Sequence, residues 1–166
     1  ASQPDVWAEA VKQAENEAAD LLPANGKKVA VVGCGTSWFM AQAYASLREG
    51  AGHGITDAFA ASEAFIDRDY EAIIAITRSG TTTEVLELLD GNKGRIPSVA
   101  IIGDPASPAV NAADRVIALP YADERSVVQT RFATTALAYL MASLGTNLDS
   151  AIADARAAID EQIDEA

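Results

Sequence analysis

Lys28-Val29-Ala30-Val31-Val32-Gly33-Cys34-Gly35-Thr36-Ser37 is the stretch on which the fold turns. Four apolar residues follow a basic pair and run directly into glycines and hydroxyls. An apolar run without polar alternation reads as a parallel strand buried on both faces. The glycines turn the chain tightly, and a helix is expected over 38–49, stopped by Gly50 and Gly52.

The same unit recurs downstream. Residues 55–60 read as a second, weaker strand and 70–77, with Ala72-Ile73-Ile74-Ala75-Ile76, as a third. Arg78-Ser79-Gly80-Thr81-Thr82 then leads into a helix that runs through Leu89. A fourth strand is expected at 98–102, a short helix at 108–113 and a fifth strand at 115–119. Short apolar runs alternating with helices imply right-handed βαβ crossovers. The fold class is therefore α/β: a doubly wound, flavodoxin-like three-layer αβα sandwich on a five-stranded parallel sheet. One domain over 1–166 divides into an N-terminal helix (4–22), an αβα core (27–145) and a C-terminal helix (147–166). Residues 126–144 read as a helix apolar nearly all round, which needs cover from a large core or a partner.

Composition narrows the functions. Twelve Lys and Arg against 24 Asp and Glu leave a net charge of −12. That argues against sequence-independent binding of nucleic acid or of an anionic membrane, each of which needs a basic face. One cysteine, Cys34, forms no internal disulfide, and no Cys/His cluster suggests zinc. No apolar run approaches a membrane span, so a cytoplasmic location is expected. The chain starts at Ala1 and stops inside a helical pattern, so it is expected to be a piece of a longer protein.

In an open parallel sheet, ligands sit beyond the carboxyl ends of the strands, where helix N-termini present free N–H groups. After strand one, Gly33-Cys34-Gly35-Thr36-Ser37 lacks the third glycine of a dinucleotide loop, Trp38 standing there, and the Gly-Lys-Ser/Thr ending of a Walker loop. After strand three, hydroxyls occupy 77, 79, 81, 82 and 83 around Gly80. One or two of them suit helix capping by Thr81 or Thr82. Five fit capping poorly and suit an anion site that needs no lysine, for phosphate or sulfate.

These loops, together with Ser2-Gln3-Pro4 and with Val127-Val128-Gln129-Thr130-Arg131, resemble the sugar isomerase (SIS) domain family. That family includes ketose/aldose isomerases, sugar-phosphate deaminases and the isomerase half of glucosamine–fructose-6-phosphate aminotransferase. The resemblance covers almost the whole chain. It implies a sugar 6-phosphate ligand, held through Ser37, Thr77, Ser79 and Thr82, with backbone from Arg78 and Gly80. Gly35 and Thr36 would line the same pocket, and Val127 and Gln129 its sugar end. Arg78 stands where the aminotransferase has an amide, so its guanidinium either joins the phosphate or faces solvent.

Isomerisation needs a base to carry a proton between C1 and C2, and an enediol route needs no metal or organic cofactor. Glu63 matches the family's glutamate, but the histidine expected three residues on is Ile66. Glu63 is either the catalytic residue or a helix-start glutamate beside a Ser62 cap. His53, the only histidine, is expected on a loop at the amino end of the sheet, away from the pocket. Cys34, without a basic neighbour in sequence, reads as a small buried residue rather than a nucleophile.

Binding groups outnumber catalytic ones, so the resemblance implies the first of two tandem SIS repeats. The partner repeat or subunit would supply most acid/base groups, and a homodimer is expected. The alternatives are a non-catalytic phosphosugar-sensing module, which the missing histidine favours, and a flavodoxin-like binder of another phosphate compound, which the lack of a flavin-stacking aromatic loop disfavours.

Overall fold

A computed structural model describes residues 2–126 and 128–164. Its elements run α1 (Gln3–Leu21), β1 (Val29–Gly33), α2 (Thr36–Gly50), β2 (Thr56–Ala60), β3 (Ala72–Thr77), α3 (Thr83–Asn92), β4 (Ser98–Ile102), α4 (Ala109–Ala112), β5 (Arg115–Ala118), α5 (Arg131–Ser143) and α6 (Asp149–Asp164). The five strands form one parallel sheet in the order β2-β1-β3-β4-β5. The α/β sandwich read from the sequence is the fold observed.

Every residue of β1, β3 and β4 is buried, because both faces of these strands carry helices. Val29, Val31, Ile74, Ile76, Val99 and Ile101 point to the side of α1, α2 and α5. Ala30, Val32, Ile73 and Ala75 point to the side of α3. No helix among the described residues is long and apolar enough to cross a membrane.

The helix expected over 126–144 begins five residues later, at Arg131. Two local bonds explain the delay. Ser126 Oγ donates to the Val128 carbonyl at 2.8 Å, and the Phe132 N–H donates to Glu124 Oε1 at 2.9 Å. A carboxylate eight residues upstream thus satisfies an N–H of the first turn, the bond that an N-terminal cap supplies. The apolar girdle of α5 finds its cover inside the chain, against α1, α2 and the sheet, with Phe132, Ala136, Tyr139 and Leu140 fully buried. Trp7 Nε1 seals the α1–α5 contact by donating to Thr134 Oγ1 at 3.0 Å.

The amino edge of the sheet is closed by Arg48, which is 1% exposed at the end of α2. Its guanidinium donates to the carbonyls of Lys27 (3.0 Å), Ala24 (3.2 Å) and Gly54 (3.3 Å) and to Thr56 Oγ1 (2.8 Å). One planar fork thereby holds the segments entering β1 and β2, which a point-charged ammonium cannot span. Replacing Arg48 with Met is expected to cost about 3 kcal/mol, since several buried acceptors lose a charged donor together. Arg48→Lys should recover only part of the loss, and urea unfolding of both variants checks it.

Candidate functional site

The strand order reverses direction between β1 and β3, the topological switch point at which open α/β sheets bind ligands. Gly33 pairs with Ile76 in register, so the loops after the two strands leave the carboxyl edge side by side. From there they diverge, one into α2 and the other into α3, on opposite faces. The backbone of the β1 loop packs tightly: a Cβ on Gly33 would lie 2.7 Å from the Ser37 carbonyl carbon.

Neither helix N-terminus here carries a side-chain cap. Gly35 occupies the N-cap of α2 at φ +55°, and Thr82 occupies that of α3 in extended conformation. The capping expected of Thr81 or Thr82 is absent because the Thr82 hydroxyl lies 3.3 Å from Thr77 Oγ1 instead. Thr81 is likewise engaged, through Ser79 Oγ at 2.9 Å. Hydroxyls thus gather at the edge beside two helix N-termini that no side chain caps, although at the start of α2 the Ser37 and Trp38 N–H groups donate to the carbonyls of Cys34 (3.2 Å) and Gly35 (3.1 Å). Ser37 and Thr77 are buried, and Thr36, Ser79 and Thr82 are half-buried.

Arg78 takes neither of the two courses expected of it. Its side chain crosses to the segment after β5, donating to Asp123 Oδ1 at 3.3 Å and to the Glu124 carbonyl. Its own carbonyl accepts from the N–H groups of Gly103 (2.9 Å) and Asp104 (3.2 Å), so this one residue ties three carboxyl-edge loops together. Arg131 meets the same segment from α5, through the Asp123 carbonyl, and also donates to Ser2 Oγ just ahead of α1 at 3.2 Å. Gln129 lies on this segment with its side-chain oxygen buried and unpartnered. Val127 lies outside the described residues.

Glu63 ends a three-residue 3-10 turn, Ala61–Glu63, that follows β2 and has no side-chain cap from Ser62. Its side chain is exposed at the β2 rim of the edge. Ile66 packs into the apolar cluster on the α3 side, so an aliphatic side chain fills the position at which the family resemblance implies an imidazole. Cys34 is half-buried. Burial pushes its thiol above the ordinary range, the Glu84 carboxylate adds to the rise and a hydrogen bond to the Ala61 backbone opposes it. A raised thiol is a poor nucleophile at neutral pH. His53 sits at the amino edge, its carbonyl accepting from Gly26 N–H at 2.9 Å. It lines a cavity of about 450 Å³ with Tyr44 and Arg48, at the far end of the strands from the hydroxyl loops.

Sequence reasoning missed Ser107, Asp123 and Glu124. Ser107 Oγ is buried without a hydrogen-bond partner, and a Cβ on Gly80 would lie 2.0 Å from it. Gly80, at φ +60°, is the residue that lets the β3 loop close onto the β4 loop. Its neighbour, Ser107, is 27 positions away, and no local spacing signals such a contact. Gly80→Ala is expected to cost about 2 kcal/mol, from backbone strain and overpacking. In a Ser107→Gly background the cost should fall, so the double variant is more stable than the sum of the singles. Denaturant unfolding of the four proteins reads this directly.

The sequence model of the SIS domain matches residues 24–144. No curated protein matches the chain. Among solved structures, a Clostridium difficile protein assigned as a phosphosugar isomerase superposes with TM-score 0.75 at 14% identity, over 86% of this chain and 42% of that one. The C-terminal domain of glucosamine-fructose-6-phosphate aminotransferase from Francisella tularensis gives TM-score 0.69 at 21% identity, over 96% of this chain and 51% of that one. A Methanococcus jannaschii protein, inferred from its structure to be a 3-hexulose-6-phosphate isomerase, gives TM-score 0.64 at 21% identity, over 87% and 88%. The chain therefore spans about half the length of the first two and most of the third. At such identities these likenesses show the fold. With the match over 24–144 covering most of the sequence, this chain belongs to the SIS domain family.

Proposed function

We propose that the chain is the phosphosugar-binding SIS domain of an aldose/ketose sugar-phosphate isomerase or of an amino-sugar-phosphate deaminase or aminotransferase. The observation that carries this is two hydroxyl-bearing loops that leave the sheet side by side at the β1/β3 switch point, each running into a helix N-terminus without a side-chain cap. Hydroxyl and N–H donors converging on a helix start suit a phosphomonoester without any lysine. Ser37, Thr77, Ser79 and Thr82 hold the phosphate by their hydroxyls, and Arg78 and Gly80 by their backbone. Gly35 and Thr36 line the pocket, and Gln129 faces the sugar.

In this assignment Glu63 takes the proton that moves between C1 and C2, an enediol forming and collapsing without a cofactor. A second SIS unit completes the site, as a tandem repeat or as a second subunit of a homodimer. Two facts support that. The chain spans about half of two of its structural relatives, and α2 presents Phe39 and Leu47 to solvent, 56% and 39% exposed, with Ile55 exposed nearby.

A non-catalytic phosphosugar sensor is the second reading, favoured by the apolar packing of Ile66. Fructose 6-phosphate in deuterated buffer separates the two. An isomerase domain incorporates deuterium at the exchanging carbon, whereas a sensor binds the sugar and leaves the label out.

Calorimetric titration with fructose 6-phosphate, glucosamine 6-phosphate and unphosphorylated fructose is expected to show binding of the phosphorylated sugars alone. Thr82→Val combined with Ser79→Ala should weaken that binding roughly 100-fold, the consequence of two lost hydrogen bonds to a charged group. Far-UV circular dichroism should remain unchanged. Unaltered affinity would refute the site. His53→Ala should change neither binding nor turnover.

A further inference from the structure

The geometry points to the Arg78 guanidinium as a latent phosphate ligand, held off the β1/β3 edge by Asp123. This rests on the phosphate assignment of the preceding section and adds what that assignment lacks, a positive charge. The loops 33–37 and 77–83 contain no cation except Arg78, and the chain as a whole carries −12. Glu84 stands in the first turn of α3 beside them. A phosphate dianion arriving there meets neutral donors in a repulsive field, and one guanidinium at the loop itself is the group placed to offset it.

Where it lies, Arg78 donates through Nη1, shared between Asp123 and the uncharged Glu124 carbonyl. It engages Asp123 through a single nitrogen at 3.3 Å, longer than the 2.7–2.9 Å usual for a charge-assisted bond. The Asp123 side chain is 44% exposed, so water screens the pair and holds down its worth. Nε of Arg78 is buried without a partner, leaving unused a donor of a fork suited to bidentate oxyanion binding. A dianion able to take the whole fork therefore offers this side chain more than one screened carboxylate and one neutral carbonyl do. Arg78 starts in the loop, between Thr77 and Ser79, so rotation of the side chain redirects the guanidinium without moving a helix or strand.

A purely structural tie between the loops predicts the opposite response to mutation, and a double-mutant cycle separates the two. Fructose 6-phosphate and inorganic phosphate are titrated into the full chain and into Asp123→Asn, Arg78→Gln and the double variant. Loss of the competitor in Asp123→Asn should tighten both probes by about threefold, the scale of an exposed ion pair. Arg78→Gln should weaken them by about tenfold, and in that background Asp123→Asn should bring no gain. Arg78→Lys, which keeps the charge without the fork, should fall between wild type and Arg78→Gln, and thermal melts establish that each variant is folded.

An Asp123→Asn affinity equal to or weaker than wild type overturns the inference, as does a gain that persists without Arg78. Both of these leave the phosphosugar site standing. Failure of the wild-type chain to bind either probe overturns the site and the latent ligand together.

Discussion

Strands β1, β3 and β4 have no face left for water, and this double burial constrains everything else in the molecule. Buried peptide groups must pair laterally, so the strands form one continuous ladder. Parallel neighbours need crossovers, and the crossover helices supply the apolar cover that keeps the strands dry. Strand order 2-1-3-4-5 then puts β1 beside β3 with their helices on opposite faces. The gap at the carboxyl edge is a by-product of that arrangement, present before any side chain is chosen to fill it.

The two edges of the sheet differ in how far their polar groups are satisfied. At the amino edge Arg48 is hydrogen-bonded to four acceptors. At the carboxyl edge, Arg78 Nε, Ser107 Oγ, Gln129 Oε1 and Arg131 Nε are buried and unpartnered; of the five such atoms among the described residues, only Asn92 Oδ1 lies elsewhere. Unsatisfied polar atoms are costly and are retained where something else is to meet them.

What could be read from the sequence was local. Strand β4 has the bounds its apolar run indicated, and the hydroxyl loops stand at strand ends, because burial on both faces writes itself into consecutive residues. What could not be read was set by contacts distant along the chain. The start of α5 depends on Glu124 reaching forward to Phe132. Local sequence leaves Arg78 open between ligand and solvent, because its actual acceptors lie some 45 positions away. The apolar girdle of α5 called for cover by a large core or by a partner, and local sequence could not choose between them, because the cover includes α1, more than a hundred residues earlier.

The uncharged surroundings of Arg48 set how the fold responds to ionic strength. The protein's net charge of −12 is mutual repulsion spread over its surface, which dissolved ions screen. The ion pairs among the described residues are mostly exposed and give up little when screened. Arg48, by contrast, is 1% exposed and is locked by uncharged carbonyls and a hydroxyl, acceptors whose bonds do not depend on an opposite charge. Added salt thus relieves the repulsion without loosening the buried clasp, and the folded state gains as the solution becomes more concentrated.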